Sequence, residues 1–299
     1  MVLIDNVVPV FLVAALGYIA GKTLRIDGKS VSRVALYILT PALVFNSLST
    51  ADIMPGEFLV IVACAAALIV IMTALGAAAA RLAGLPPLTA AAVAIGTGFM
   101  NAGNYGLPVT LFALGQGGFD RAVIFMVVMS VATNSLGVFV CARGRGGTKE
   151  ALRSVAGMPA LYAALLGLLF QINGWRLPLA LARPVEMLAG ASVPLFLIVL
   201  GIQLSSVKVR PGFLKAISLT TFLRLIVSPL IALGFTALVG VGGLTQKAII
   251  LEAAMPCAVN SSILASEYDT EPELASSNVM ATTVLSLITL TVVIILIMR

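Results

Sequence analysis

The chain has 299 residues, 60% of them apolar and only 10% charged, with a net charge of +6, no histidine and a mean hydropathy of +1.12. A soluble domain is nearer to about 45–50% apolar and about 25% charged, so a soluble fold is excluded, and the long continuous apolar runs exclude the alternating segments of a lipid-facing β-barrel. The missing histidine removes His-ligated zinc, the Ser-His-Asp triad and imidazole proton relays.

Apolar segments fall at 3–21, 31–50, 57–82, 88–114, 120–142, 154–173, 184–206, 211–239, 245–266 and 273–298. Ten spans of roughly 20 residues each take about 200 residues and leave only short connections, so the expected fold is an all-α, ten-helix integral membrane protein. No Lys or Arg precedes Lys22, so the first segment lacks a signal peptide's basic start and is read as the first span. Cys64, Cys141 and Cys257 are scattered singly in apolar segments, as small buried hydrophobes are.

Loop cations set the expected orientation. Lys22, Arg25, Lys29, Arg33, Arg81, Arg143, Arg145, Lys149, Arg153, Lys208, Arg210 and Lys215 give 12 on one side, against 5 on the other (Arg121, Arg176, Arg183, Lys247, Arg299). The positive-inside rule puts both termini on the non-cytoplasmic side of the cell (inner) membrane. The positive charge is therefore loop charge, and no nucleic-acid partner is expected.

A repeat is visible in the prolines. Pro9 matches Pro159 at an offset of 150, Pro41 matches Pro194 at 153, and Pro108 matches Pro256 at 148. Five spans per repeat would make residues 1–142 and 154–299 two halves of inverted topology, as in transporters. Within span 4, Gly96-Thr-Gly-Phe-Met-Asn-Ala-Gly-Asn-Tyr-Gly-Leu-Pro108 carries four glycines and two asparagines. Proline removes a donor and frees the carbonyl four residues earlier, here that of Asn104 and, in span 9, of Glu252. Two such interruptions at matched positions predict broken helices whose half-helix N-termini turn partial positive charge toward a cavity suited to an anion.

The sequence around Pro9, the run Arg33-Val-Ala-Leu-Tyr-Ile-Leu-Thr-Pro41-Ala-Leu-Val-Phe45, Asn101-x6-Pro108, and Pro256…Ala265-Ser-Glu267-Tyr268-x3-Pro272-x-Leu274 resembles the auxin efflux carrier family, part of the bile acid/sodium symporter-like superfamily. The resemblance runs along essentially the whole chain, without the long cytoplasmic loop of some plant members. It implies a scaffold of spans 1, 2, 6 and 7 (about 1–50 and 154–206). It also implies a mobile transport domain of spans 3–5 and 8–10 (about 57–142 and 211–299), with crossover helices 4 and 9 carrying the substrate. Asn101 falls on the family's crossover asparagine, and Pro108 and Pro256 on its crossover prolines. The candidate substrate-lining set is Asn101, Asn104, Tyr105, Pro108, Pro256, Asn260, Ser261 and Phe45. Expected partners are a small organic anion, the lipid bilayer and a second copy joined through the scaffold. No cofactor is expected, with Na+ or H+ as the coupling ion.

Polar groups at membrane depth complete the reading. Glu252 lies about 10 Å into span 9 at 1.5 Å per residue, and Arg224 lies near the midplane of span 8; intramembrane charges are functional candidates by default. Arg224 can tether backbone carbonyls, pair with Glu252 or face a carboxylate substrate, and Glu252 can take up a proton or ligate a small cation. Ser130, Thr133 and Asn134 in span 5 and Asn278, Thr282, Ser286 and Thr289 in span 10 form either interhelical packing bonds or a cation site. Ser130, Asn134, Asn278 and Thr282 are the ion-coupling candidates. With no HExxH, no GxSxG and no paired intramembrane aspartates, an enzyme is not expected. The function expected is a secondary active carrier of small organic anions working by an elevator motion. A transporter-like receptor that binds without net transport is the alternative.

Overall fold

The computed structural model describes residues 6–142, 148–207 and 211–298. Every regular element among them is helical. In chain order the helices are α1 (Val8–Thr23), α2 (Gly28–Thr50), α3 (Pro55–Leu82), α4 (Pro87–Gly98), α5 (Ala102–Cys141), α6 (Thr148–Ala156), α7 (Pro159–Asn173), α8 (Leu179–Ser205), α9 (Leu214–Val239), α10 (Gly243–Ala253), α11 (Val259–Glu267) and α12 (Pro272–Ile297). Six of these, α2, α3, α5, α8, α9 and α12, are long and apolar enough to cross a membrane, and α1, α4 and α7 are shorter apolar helices. The loop residues Arg143, Arg145, Lys208, Arg210 and Arg299 lie outside the described residues, as do the side chains of 148–151.

Local chemistry explains most of the boundaries. Pro9, Pro55, Pro87, Pro159 and Pro272 sit in the first turn of their helices, where the missing amide N–H costs nothing. Gly174 and Gly240 end α7 and α9 with positive φ of 63° and 73°. Three further prolines continue through long helices by one device. Pro41, Pro108 and Pro229 each follow a wide π-type turn that ends two residues earlier, at Leu39, Gly106 and Val227. The extra residue in the turn relieves the clash between the proline ring and the preceding turn of helix.

Two expected boundaries shift. The connection expected between 114 and 120 is helical on both sides, and only Gly115 departs, with φ 68° and ψ −168°. It divides α5 into a short limb after the break and a long limb running to Cys141. The segment expected to begin at 154 begins instead at Pro159, because 154–156 belong to the separate helix α6, where Ser154 Oγ donates to Asn134 Oδ1 at 3.0 Å. The three cysteines are free and buried, as small core residues.

The tightest helix pair is α1 against α8. A Cβ on Gly201 would overlap the Ala14 carbonyl, and one on Gly17 would overlap the Ile198 carbonyl. The two backbones therefore touch at a reciprocal pair of glycines, as membrane helices do where small residues allow close dispersion contact. At the other edge, Arg121 Nε pairs with Glu57 Oε1 at 2.6 Å and donates to Thr245 Oγ1 at 2.9 Å, while Thr245 Oγ1 also donates to Glu57. This half-buried knot ties α3, α5 and α10 together. Gly201→Ala is expected to force α1 and α8 apart and lower stability by about 1–3 kcal/mol, the usual cost of overpacking. Thermal unfolding in detergent checks this, with Gly190→Ala, where a Cβ meets open space, as the control.

Candidate functional site

Two helices stop and restart at the centre of the molecule. Helix α4 ends at Gly98 and α5 begins at Ala102, while α10 ends at Ala253 and α11 begins at Val259. The two breaks run antiparallel and satisfy one another. Asn101 N donates to Pro256 O at 2.8 Å, Ala258 N donates to Phe99 O at 2.9 Å, and Met100 faces Cys257. Behind the second break, Cys257 N donates to Thr282 Oγ1 at 3.1 Å and Cys257 Sγ donates to Gly96 O at 3.0 Å. Proline at 256 offers only a carbonyl, and that carbonyl is the one Asn101 N uses.

The C-terminal ends of the first half-helices converge on one side chain. Arg224 is fully buried; its Nη1 donates to Thr97 O at 2.7 Å and its Nη2 to Ala253 O at 2.6 Å. Nη2 also meets Ser228 Oγ, which itself donates to Ala253 O at 2.7 Å. Thr97 and Ala253 lie in the last turns of α4 and α10, where carbonyls lack helical partners and the macrodipole is negative. A single guanidinium thus caps two helices. Of the roles open for Arg224, the structure selects the backbone tether. The pairing with Glu252 is not made, because α10 turns that side chain toward α5. There Glu252 Oε1 accepts from Thr110 Oγ1 at 2.9 Å, its Oε2 has no partner, and the carboxylate rests on the backbone of Gly106.

The N-terminal ends of the second half-helices face the opposite way and line a cavity of about 70 Å³. Asn101, Gly103 and Asn104 come from α5 and the turn before it, and Ala258, Val259 and Asn260 from the start of α11. Ser130 and Thr133 from the long limb of α5, Thr40 from α2 and Phe196 from α8 close it. Asn101 is 6% exposed and its Nδ2 has no hydrogen-bond partner. The first-turn amides of a helix have no partner within it, so the cavity is bordered by two helix N-termini and an unpaired amide donor. At a few times the minimum volume of one ordered water, it has room for a small polar group with little beside it.

Asn101, Asn104 and Asn260, expected to line the substrate, are brought together in this cavity, and Ser130, expected at an ion-coupling site, joins them. Others are placed elsewhere. Tyr105 is buried, packs edge-on to Phe11 with ring centroids 5.8 Å apart and pairs with Ser286 Oγ at 3.0 Å, because the wide turn at 102–106 rotates it away. Phe45 packs edge-on to Phe170, with ring centroids 5.2 Å apart, on the α7 side of α2. Ser261 is buried and donates to Ala258 O, holding the first turn of α11. Pro108 and Pro256 act through the backbone. Asn134 donates to Ser130 O and accepts from Ser154, which points it at α6. Thr282 holds the second break through Cys257 N and donates to Asn278 O, and Asn278 is buried against Gly96. These two lie behind the breaks, apart from the cavity. The carbonyl of Glu252, expected to be freed by Pro256, accepts from Met255 N at 3.2 Å. The carbonyls that Arg224 takes up are instead those of Thr97 and Ala253.

Thr40 and Phe196 were missed as cavity residues. Their signal was their position: Thr40 precedes Pro41, and Phe196 follows its repeat partner Pro194 by two.

A profile of the family described as membrane transport protein matches residues 2–157 and 147–294. An uncharacterized transporter of Methanothermobacter thermautotrophicus is 32% identical over 294 residues, covering 96% of this chain and 95% of the relative. A second uncharacterized transporter, from Methanocaldococcus jannaschii, is 28% identical with 96% of each chain covered. Auxin efflux carrier component 6 of Arabidopsis thaliana is 27% identical over 140 residues, 45% of this chain and 25% of the plant protein. With its apolar helices and full-length match, the chain belongs to the membrane transport protein family, that of the auxin efflux carriers.

The double cap makes a prediction. Arg224→Met should leave the Thr97 and Ala253 carbonyls unmet and lower stability by about 1.5–3 kcal/mol for each charge-assisted bond lost. Arg224→Lys keeps the charge but lacks the planar fork, and is expected to fall between wild type and Arg224→Met. Melting curves of the three purified proteins in one detergent give the order.

Proposed function

We propose that the protein is a secondary active carrier of small organic anions with alternating access of the elevator type. The observation that carries this reading is the cavity between two opposed helix N-termini, with the unpaired Asn101 amide on its wall. Partial positive charge from two helices and a neutral donor suit a carboxylate without a fixed cation holding it too tightly for release. In this reading the ten apolar segments are two inverted repeats, and α1, α2, α7 and α8 form the scaffold. The remaining membrane helices move as one body, and both termini face away from the cytoplasm. The position of the cavity, where α2 and α8 meet α5 and α11, supports this: sliding one group past the other would carry the breaks and their ligand together. The transporter relatives favour transport over catalysis.

Glu252 is the proposed coupling group. Its second oxygen is unpartnered, and it is buried one helix turn from the broken backbone. A proton or a small hard cation there would neutralise a charge that is otherwise expensive at this depth.

Counterflow of labelled malonate, malate or an aromatic acetate in proteoliposomes tests the carrier, and ligand binding with no counterflow would instead identify a receptor. Asn101→Ala is expected to weaken ligand binding by about 1–3 kcal/mol, the cost of a lost partner at a buried polar group, measured by titration of the purified protein. Glu252→Gln keeps the shape and removes the charge. It is expected to abolish accumulation driven by a proton or sodium gradient while sparing equilibrium exchange, and accumulation with unchanged ion dependence would place coupling elsewhere.

A further inference from the structure

Two surface grooves outside the candidate site share one design. The first lies between α9, α10 and α12, has a volume of about 480 Å³ and is lined by Leu225, Leu233, Ile288 and Ile297, with Gln246 and Lys247 at one end. The second lies between α3, α4 and the long limb of α5, has a volume of about 650 Å³ and is lined by Val70, Ala94, Leu136 and Phe139, with Arg81 at one end. In each, a single cation stands in a mostly apolar trough whose other polar residues, Gln246 and Thr289 in the first and Thr73 in the second, are uncharged. No carboxylate lines either groove. Neither Lys247 nor Arg81 has a side-chain hydrogen bond or ion pair among the described residues.

Length and depth fit a lipid chain. From Leu225 to Leu233 on α9, from Ile288 to Ile297 on α12, and from Val70 to Arg81 on α3, the walls rise about 12–16 Å at 1.5 Å per residue. One leaflet of a hydrocarbon core of about 30 Å is about 15 Å deep. Arg81 stands in the last turn of α3, and Lys247 in the second turn of α10, beside the end of α12. Both are near helix ends, where long basic side chains extend toward the headgroup layer. An acyl chain in the trough would therefore bring its own phosphate to the free cation.

We infer that each groove is a binding site for an anionic phospholipid, one acyl chain lying in the trough and the phosphate held by Lys247 in the first and by Arg81 in the second. The charge selects the lipid class: a basic residue at the membrane surface is worth about 1 kcal/mol toward an anionic headgroup, which is about a fivefold preference over a zwitterionic one. The inference requires only that these helices stand in a bilayer, and it is independent of what the protein carries.

The full-length protein in phosphatidylcholine vesicles tests it. Trp175, the sole tryptophan, is replaced by Phe, and Leu233→Trp or Phe139→Trp places a reporter in the first or second groove. Brominated phosphatidylglycerol is expected to reach half-quenching at about a fivefold lower mole fraction than brominated phosphatidylcholine. Lys247→Ala should abolish that preference at the Leu233 position only, and Arg81→Ala at the Phe139 position only, with Lys247→Arg and Arg81→Lys retaining it. Equal quenching by the two lipids, or a preference that survives removal of the cation, would overturn the inference. Native mass spectrometry of protein carrying Trp175 covers the case in which a reporter variant misfolds. Two retained phosphatidylglycerols, with one lost in each alanine variant, support the sites, and retention unchanged by both substitutions refutes them.

Discussion

The architecture depends on one cation meeting two helix ends. Broken helices inside an apolar bundle leave carbonyls with no water to accept them, and each is costly in hydrocarbon. Arg224 answers both breaks at once, through Thr97 O and Ala253 O. Its charge is balanced by two negative helix ends, without a carboxylate. That division matters chemically. With the C-terminal ends absorbed on one side of the breaks, the N-terminal ends of α5 and α11 remain directed at the cavity on the other.

The breaks themselves are stitched by very few bonds. Two backbone hydrogen bonds join them, and Thr282 and Cys257 fix the second from behind. Phe99, Met100 and Cys257 are almost completely buried, so the crossing is packed in protein, the condition under which irregular backbone is tolerated at membrane depth. Asn101 divides its commitments in this dry setting. Its backbone is committed to Pro256, but its side-chain amide is not committed to anything. Other unpartnered atoms, such as Asn278 Nδ2 and Glu252 Oε2, lie behind the breaks, and among the described residues Asn101 Nδ2 is the one on the cavity wall.

Packing is uneven across the molecule. The contact of α1 with α8 is backbone on backbone at Gly17 and Gly201, which leaves little freedom to slide. The contact of α2 with α5 is lighter and includes a single side-chain bond, Ser47 Oγ to Asp120 Oδ1 at 2.6 Å. A rigid pair of helices beside a lightly bonded seam is consistent with the proposed movement of one group of helices against the other.

The sequence by itself determined the membrane class, the position of nearly every helix, the two interrupted segments and the family. Composition and hydrophobic run length carry the first two directly, and proline and glycine spacing carries the breaks, because those residues act on their own backbone. It also picked Asn101, Asn104 and Asn260 for the substrate cavity, whereas Ser130, picked for ion coupling, lines that same cavity. Only the tertiary structure decided which way each polar side chain points. The wide turn at 102–106 sends Tyr105 to Phe11 and Ser286, a helical face sends Phe45 to Phe170, and Arg224 and Glu252, similar in depth, sit on different sides of α10. Depth along a helix can be counted from sequence, but azimuth depends on turn type and on which neighbour has the complementary gap. Both are set by contacts between segments as far as 181 residues apart, as for Tyr105 and Ser286, and the sequence carries no local record of them.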